Sequence, residues 1–262
     1  IDIDPAQLNN RVHATLSICA DAGSLFNAFL LTADTFPRLD KSWLSALSER
    51  RDSAMRNEYA DWEISPSELF KQLNHIFSGQ QVDYVCDVGN HQMWAAQSLR
   101  LATGQAVHYS GGMGAMGFAL PAALGIAIQS RNKVVVITGD GSMQINIQEL
   151  DTLSRLELDV TVIVMNNAAL GMVKNFQDMY FDGRNQSTKK GYSSPSFAKI
   201  ASAYGIDSNR INNAKDLVNF LPQIKNSKGP LLIEIMMEGA TECRPRLAFG
   251  SKLDDQFPRL IE

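Results

Sequence analysis

The sequence predicts an α/β fold in which a doubly wound parallel sheet carries helices on both faces. Residues 134–137 and 160–165 are short β-branched runs, which are typical of strands buried on both faces of a sheet. Between these runs the apolar residues recur at helical spacing, at Ile145, Leu150, Leu153 and Leu156. A strand, a helix and a second strand form a right-handed crossover unit, so the two strands should lie parallel in one sheet.

Composition and charge exclude several classes of function. The 262 residues are 45% hydrophobic, which is enough for a sizeable core, and carry a formal net charge of −4. That charge gives no basic footprint for nucleic acid or for an anionic membrane surface, and no apolar run approaches the roughly 20 residues that span a bilayer. The three cysteines lack metal-ligand spacing, so we expect buried free thiols and a cytoplasmic protein. The sequence begins at Ile1 with no signal or transit segment, which suggests a fragment of a longer chain.

The elements in residues 1–34 are too few to make a domain alone. Residues 1–4 and 15–19 are short strand-like runs, and helical spacing of apolar residues predicts a helix after Asp21. Residues 35–61 are charged and serine-rich with one apolar helical face, which is typical of a linking helix.

The strongest pattern begins at Ser65, which precedes Pro66 and Glu68 in a typical helix start. Further strands are expected at residues 82–86 and 230–237, and further helices at residues 118–128, after Asn167, and at residues 196–204 and 216–224. Residues 182–194 are rich in Gly, Ser, Asn and Lys and should form a mobile lid over the substrate side of a site. The tail from residue 239 shows no periodicity.

Two polar turns follow the two central strands. Asp140 lies between two glycines at the end of the first strand, and Asn166 and Asn167 end the second strand after the intervening residues 142–165. Neighbouring parallel strands end at one edge, so a carboxylate, an amide oxygen and a helix N-terminus should converge there. Mg²⁺ prefers oxygen ligands and often bridges to phosphate oxygens. Either turn alone is typical of an ordinary crossover, but together they predict a site for a diphosphate held through Mg²⁺.

Two other segments allow more than one interpretation. Residues 111–117 contain four glycines before an apolar helix, and such a loop could hold any nucleotide or simply pack a helix close to the sheet. His91, beside Trp94, is either a packed or capping residue or a donor to a phosphate oxygen.

The Gly-Asp-Gly turn followed by Asn-Asn resembles the signature of the thiamine diphosphate enzymes. The segments DVGNHQMWAAQ (87–97) and SGGMGAMGFALPAALG (110–125) are similar to those of acetolactate synthases and their carboligase and decarboxylase relatives. The resemblance covers roughly residues 66–237. It implies four regions: residues 1–34 as the C-terminal remnant of a middle domain, 35–64 as a linker, 65–238 as the diphosphate- and Mg²⁺-binding domain, and 239–262 as a C-terminal arm.

The resemblance also implies a set of site residues. Asp140, Asn167 and the carbonyl oxygen of Ala169 would hold Mg²⁺. The carbonyl of Gly114 would accept from the aminopyrimidine of thiamine diphosphate, and Met116 would wedge between the two cofactor rings. The other cofactor contacts would come from Asn90, His91, Gly139, Gly141, Ser142, Leu170, Gly171 and Met172, with Met172 and Phe176 on the substrate side. Relatives usually carry Gln at the position of Asn90 and, in acetolactate synthases, Trp at the position of Phe176.

The implied function is that of an acetolactate synthase-like carboligase, which decarboxylates a 2-keto acid and ligates the resulting enamine to a second carbonyl. A related decarboxylase, lyase or oxidase is the alternative, and a non-catalytic cofactor-binding or assembly module is the third. In the family the activating Glu belongs to a separate pyrimidine-binding domain, so no catalytic residue is assigned here and Glu149 should be structural or solvent-facing. We therefore expect the chain alone to be inactive and the active species to be a homodimer or homotetramer that includes the missing domain. Some members also bind FAD in the middle domain, which the sequence leaves open.

Overall fold

The computed structural model describes residues 1–37, 40–57, 62–130, 132–252 and 255–258, and for residues 51–57 the backbone alone. The chain divides into two compact units, Ile1–Arg51 and Asp52–Glu262. The assignment of residues 1–34 to a middle domain stays a prediction, as do the other three regional assignments.

The first unit contains helix α1 (Ala22–Leu31) and the start of helix α2 (Lys41–Asn57), both expected from the sequence. The Asp21 carboxylate caps α1 by accepting from the Ser24 amide at 3.0 Å. The two strand-like runs were predicted wrongly, because they contribute only one isolated bridge, between Asp2 and Cys19. None of residues 1–37 and 40–50 is buried, so these runs lack the apolar partner that would stabilise a sheet.

The second unit is built on a six-stranded, all-parallel sheet, which confirms the predicted fold class. The strand order is β2-β1-β3-β4-β6-β5. The strands are β1 (Val82–Cys86), β2 (Ala106–Tyr109), β3 (Lys133–Gly139), β4 (Val160–Asn166), β5 (Asp207–Ile211) and β6 (Leu231–Met236).

Helices cover both faces of this sheet. The remaining helices are α3 (Pro66–Ile76), α4 (Asn90–Ser98), α5 (Ala119–Ser130), α6 (Asp140–Ile145), α7 (Glu149–Arg155), α8 (Gly171–Tyr180), α9 (Phe197–Ala203) and α10 (Ala214–Asn226). Apolar residues of α3, α4 and α10 form one buried cluster, and those of α5, α7 and α9 form the other. Alternate residues of β3 enter the two clusters, Val135 the first and Val134 the second, as expected for a strand between two layers.

The two edge strands were missed by the sequence analysis. β5 has the sequence DSNRI, and only its last residue, Ile211, is buried. β2 is half-buried throughout. An edge strand has neighbours on one side only, so its sequence lacks the continuous apolar run that marked β1, β3, β4 and β6.

The helix predicted from Ser142 is in fact two helices, α6 and α7, separated by a turn. Leu150 and Leu153 are buried as expected, but Ile145 and Leu156 are 51% and 42% exposed. The chain turns after Ile145, so the helical spacing does not run through one continuous face. The turn after β1 is short, because α4 already begins at Asn90.

Three other expectations concern cysteines, Glu149 and the membrane. All three cysteines are free, as expected, but Cys19 is exposed and only Cys86 and Cys243 are buried. Glu149 is half-buried at the start of α7. Among the residues that the structure describes, no helix is long and apolar enough to cross a membrane.

The strand order places a topological switch between β1 and β3. The connection after β1 leads through α4 to β2 on one side, while β3 and the later strands extend the sheet on the other side. Chain segments leaving the carboxyl ends of β1 and β3 therefore diverge, and ligands in open α/β sheets bind in the crevice that this leaves.

Candidate functional site

A cavity of about 260 Å³ lies at the carboxyl edge of the sheet, at this switch point. Four segments line it: the turn after β1 with the start of α4, the glycine-rich loop, the turn after β3, and the end of β4 with the start of α8. Its lining includes the predicted cofactor-binding and metal-binding residues Asn90, His91, Gly114, Met116, Gly139, Asp140, Gly141, Ser142, Asn167, Ala169, Leu170, Gly171 and Met172. The fold thus brings these residues together, although their roles stay predictions.

Phe176 does not belong to the cavity lining. Its side chain is 44% exposed, and its ring packs 4.7 Å from that of Tyr180 and 6.2 Å from that of Phe249, measured between centroids. Of the two residues predicted on the substrate side, only Met172 therefore contacts the cavity.

Asp87 anchors the glycine-rich loop, a role that the sequence analysis did not assign. Its buried carboxylate accepts from the backbone amides of Gly117 and Ala119, each at 2.9 Å, and from the Val88 amide at 2.8 Å. These bonds tie the end of the loop and the first residue of α5 to the end of β1. The available signal was an acidic residue directly after a buried strand.

Asn90 and His91 bring buried polar atoms to the cavity. Asn90 Nδ2 and His91 Nε2 have no hydrogen-bond partner among the described residues. A Cβ atom on Gly89 or Gly139 would lie within 3.0 Å of the His91 ring, so glycine is required beside it. His91 is therefore a packed residue whose Nε2 is nevertheless left open.

Burial lowers the pKa of His91 to about 4, although the Asp87 carboxylate and a hydrogen bond to the Asp87 backbone act in the opposite direction. The imidazole is consequently neutral near pH 7, with one N–H and one lone pair. His91 Nε2 is buried without a hydrogen-bond partner among the described residues, so it is the ring atom left open towards a ligand. Asn90 Nδ2 is an amide donor under all conditions, so it can donate to a phosphate oxygen without any choice of tautomer.

Asp140 is the buried carboxylate of the site, with 2% of its surface exposed. Its Oδ2 accepts from the Tyr192 hydroxyl at 3.0 Å. Burial raises the pKa of Asp140 to about 6, against the hydrogen bonds from Tyr192 and from backbone amides, including that of Ala169, which lower it. The buried environment therefore disfavours the ionised form of the Asp140 carboxylate, and a bound cation would offset the free-energy cost of burying that charge.

The turn after β4 brings an amide oxygen to the same place. Asn167 Oδ1 accepts from the Ala169 amide at 3.1 Å, and Asn167, Ala169 and Asp140 all line the cavity at this turn. Between Asn167 and Ala169, Ala168 has φ +52°, a left-handed conformation that costs a non-glycine residue roughly 1 kcal/mol or more. The neighbouring Asn166 instead points away and donates to buried Glu234 at 2.8 Å, which makes it structural.

Gly171 leaves room for two amides. A Cβ atom at this position would lie 2.7 Å from Asn90 Nδ2 and 2.8 Å from Asn167 Nδ2. Ser142 links the two switch-point turns, since its hydroxyl donates to the Val88 carbonyl at 2.9 Å. Among the described residues, no group of three or more His, Cys, Asp or Glu side chains could hold a metal ion. A cation at this site would therefore depend on Asp140 together with amide and carbonyl oxygens.

Comparison with known proteins decides the family. Residues 87–235, more than half of the chain, match the family model described as "Thiamine pyrophosphate enzyme, C-terminal TPP binding domain". The chain belongs to the thiamine pyrophosphate enzymes. Thiamine pyrophosphate is thiamine diphosphate by another name, so the resemblance seen in the sequence is confirmed. The matched region begins at Asp87 and contains every cavity-lining residue of this family member.

Curated proteins similar to the chain include several acetolactate synthase large subunits. The chain is 32% identical to the acetolactate synthase large subunit of Cyanidium caldarium over 257 residues, which is 95% of this chain and 43% of that protein. It is also 32% identical to the acetolactate synthase large subunit of Lactococcus lactis and to the probable acetolactate synthase large subunit of Methanocaldococcus jannaschii. Those alignments cover 98% and 97% of this chain, and 44% of each relative. The chain thus spans less than half the length of the curated relatives it matches.

Proposed function

We propose that this chain is the cofactor-binding part of an acetolactate synthase-like carboligase, which decarboxylates a 2-keto acid and joins the product to a second carbonyl compound. The observation that carries the proposal is the cavity at the β1/β3 switch point. It combines an unpaired amide donor, Asn90 Nδ2, with the oxygen-bearing side chains of Asp140 and Asn167. A family match over residues 87–235 supports thiamine diphosphate as the ligand.

Mg²⁺ would be held by Asp140, Asn167 and the carbonyl oxygen of Ala169. A carboxylate with an amide and a backbone carbonyl is the hard oxygen set that Mg²⁺ prefers, and the ion usually keeps further positions for phosphate oxygens and water. The support in this chain is that Asn167 Oδ1 accepts from the amide of Ala169 and that Asp140, Asn167 and Ala169 line one cavity.

The diphosphate would lie between the turn after β1 and the start of α8. Asn90 Nδ2 can donate to a phosphate oxygen, and Gly171 and Met172, the first residues of α8, line the same cavity. The first backbone N–H groups of a helix have no partner within it and favour anions.

Met116 and Gly114 would contact the middle of the cofactor. The Met116 methyl lies 3.4 Å from the position that a Cβ atom on Gly141 would occupy, so it extends over the turn after β3. Gly114 has φ +62°, a conformation that suits glycine and lets the backbone approach a ligand closely.

When bound, thiamine diphosphate supplies the nucleophilic carbon that attacks a 2-keto acid. The residues of this chain bind its diphosphate, orient its rings and exclude water. The activating Glu would come from a pyrimidine-binding domain outside this chain, so we propose a homodimer or homotetramer that includes that domain.

The test is calorimetric binding of thiamine diphosphate to the purified protein with and without Mg²⁺. We expect Mg²⁺-dependent binding that Asp140→Ala abolishes, because the substitution removes the one carboxylate of the site. Asp151→Ala, an exposed carboxylate on α7, is the matched control and should bind as the parent does. Binding that is unchanged in Asp140→Ala would refute the proposed metal site.

A related decarboxylase is a second candidate, favoured by Phe176. Acetolactate synthases usually have Trp at this position, whereas Phe176 lies outside the cavity lining in an exposed aromatic cluster. Product analysis with pyruvate alone, on the assembly that includes the pyrimidine-binding domain, separates the two activities: a carboligase makes acetolactate, and a simple decarboxylase makes acetaldehyde.

A further inference from the structure

Residues 185–192, here called the strap, lie against the turn that carries the proposed metal ligands. The Thr188 carbonyl accepts from the Leu170 amide at 2.9 Å, and Lys189 Nζ donates to the Ala168 carbonyl at 3.4 Å. The Thr188 side chain is buried, and its hydroxyl donates to Gln177 Oε1 on α8. The strap is thus docked by both backbone and side-chain bonds on the segment between β4 and α8.

The strap reaches Asp140 through Tyr192. The Tyr192 hydroxyl donates to Asp140 Oδ2 at 3.0 Å, and Gln144 Nε2 donates to the hydroxyl oxygen at 3.4 Å. Because Gln144 occupies a lone pair of that oxygen, the hydroxyl proton is directed at the carboxylate. A hydrogen bond to a charged acceptor is stronger than a neutral one and fixes the carboxylate plane.

We propose that Tyr192 is a positioning residue that orients Asp140 for the cation, so that the affinity of the metal site depends on the docked strap. The inference rests on the proposed function, since it assigns Asp140 to Mg²⁺. Tyr192 holds Oδ2 by its hydroxyl, and the ion would approach the carboxylate from the cavity that Asp140 lines. Groups that hydrogen-bond a metal ligand from behind fix its orientation, and their loss typically weakens metal binding about tenfold or more.

The coupling between docking of the strap and binding of the cation acts in both directions. If the docked strap strengthens cation binding, then bound cation and cofactor must stabilise the docked strap by the same factor. Lys189 and Lys190 are exposed on the strap and offer cleavage sites for trypsin. Mg²⁺ with thiamine diphosphate should therefore slow tryptic cleavage at these lysines in the parent protein.

The decisive experiment titrates Mn²⁺ as a Mg²⁺ substitute in the presence of thiamine diphosphate, followed by electron paramagnetic resonance. In Tyr192→Phe we expect about tenfold weaker Mn²⁺ binding and an altered spectrum of the bound ion, because the substitution removes only the hydroxyl. The matched control is Tyr204→Phe, a half-buried tyrosine at the end of α9 that packs on a core cluster and does not line the cavity. It should bind Mn²⁺ within about twofold of the parent. A merely structural tyrosine would not change the spectrum of the bound ion.

The outcomes distinguish failure of the proposed function from failure of this inference. If the parent protein does not bind Mn²⁺ with thiamine diphosphate, the proposed function and this inference both fail. If the parent binds and Tyr192→Phe binds equally well with the same spectrum, only this inference fails. Should Tyr192→Phe not fold, Gln144→Ala replaces it, since Gln144 is exposed and its loss frees the tyrosine hydroxyl to rotate. Its expected effect is a loss of Mn²⁺ affinity larger than that of the Tyr204→Phe control, and an affinity equal to that of the control would contradict the proposal.

Discussion

At the scale of single residues, the site depends on glycine and alanine positions as much as on its polar side chains. Gly171 and Gly141 leave space that amide and apolar side chains fill, and Ala168 keeps a left-handed backbone between two proposed metal ligands. Small changes at these positions should therefore affect ligand binding more than folding.

Gly171→Ala is expected to abolish Mg²⁺-dependent binding of thiamine diphosphate. The added methyl would displace the amides of Asn90 and Asn167, both at less than 3.0 Å from it. Calorimetry measures the binding. The control is Gly125→Ala on α5, where nothing lies within 4 Å of the new methyl, and it should retain binding and gain up to about 1 kcal/mol of stability. Full binding by Gly171→Ala would contradict the geometry.

The neutral state of His91 predicts a pH dependence of stability. Its pKa is about 4 in the folded chain and 6.5 in the unfolded chain, so the unfolded state binds more protons between these values. Stability is then fully present above pH 6.5 and falls as the pH drops towards 4, by about 3 kcal/mol.

Denaturant unfolding at several pH values measures this effect in the parent and in His91→Gln. The variant should lose the slope between pH 6.5 and 4. Asp140, whose pKa is raised to about 6, acts in the opposite direction in both proteins, so it cancels in the comparison. His13→Gln, at an exposed histidine, should keep the parent's slope, and an unchanged slope in His91→Gln would disprove the assignment.

At the scale of elements, Asp87 joins β1 to the glycine-rich loop and α5. Asp87→Ala would leave the buried amides of Gly117 and Ala119 without an acceptor, and each unsatisfied buried group costs about 1–3 kcal/mol. We therefore expect a loss of about 2–5 kcal/mol in the free energy of unfolding. Asp151→Ala on α7 should change it by less than about 0.5 kcal/mol. Equal effects of the two substitutions would show that Asp87 does not anchor the loop.

At the scale of the whole molecule, the two units differ in how they are stabilised. No residue before Ile64 belongs to either buried cluster among the described residues, and residues 1–37 and 40–50 bury none of their side chains. We expect a chain of residues 62–262 to unfold cooperatively, with a melting temperature within a few degrees of the full chain, as followed by circular dichroism. A non-cooperative transition would show that the residues before 62 are needed for cooperative folding.

Family membership and the central elements could be predicted from the sequence. The apolar runs of β1, β3, β4 and β6 report burial on both faces, and the Gly-Asp-Gly and Asn-Asn turns lie where the crossover geometry requires. These are local signals, since each depends on neighbours in the chain.

Only the tertiary structure decided the remaining features. It revealed the edge strands β2 and β5, the division of one predicted helix into α6 and α7, and the anchoring role of Asp87. It also showed the buried, unpartnered Nε2 of His91 and the contact of Tyr192 with Asp140, across 52 residues of sequence. Burial and hydrogen bonds between distant residues depend on which segments meet in space, and no periodicity within a single segment encodes that.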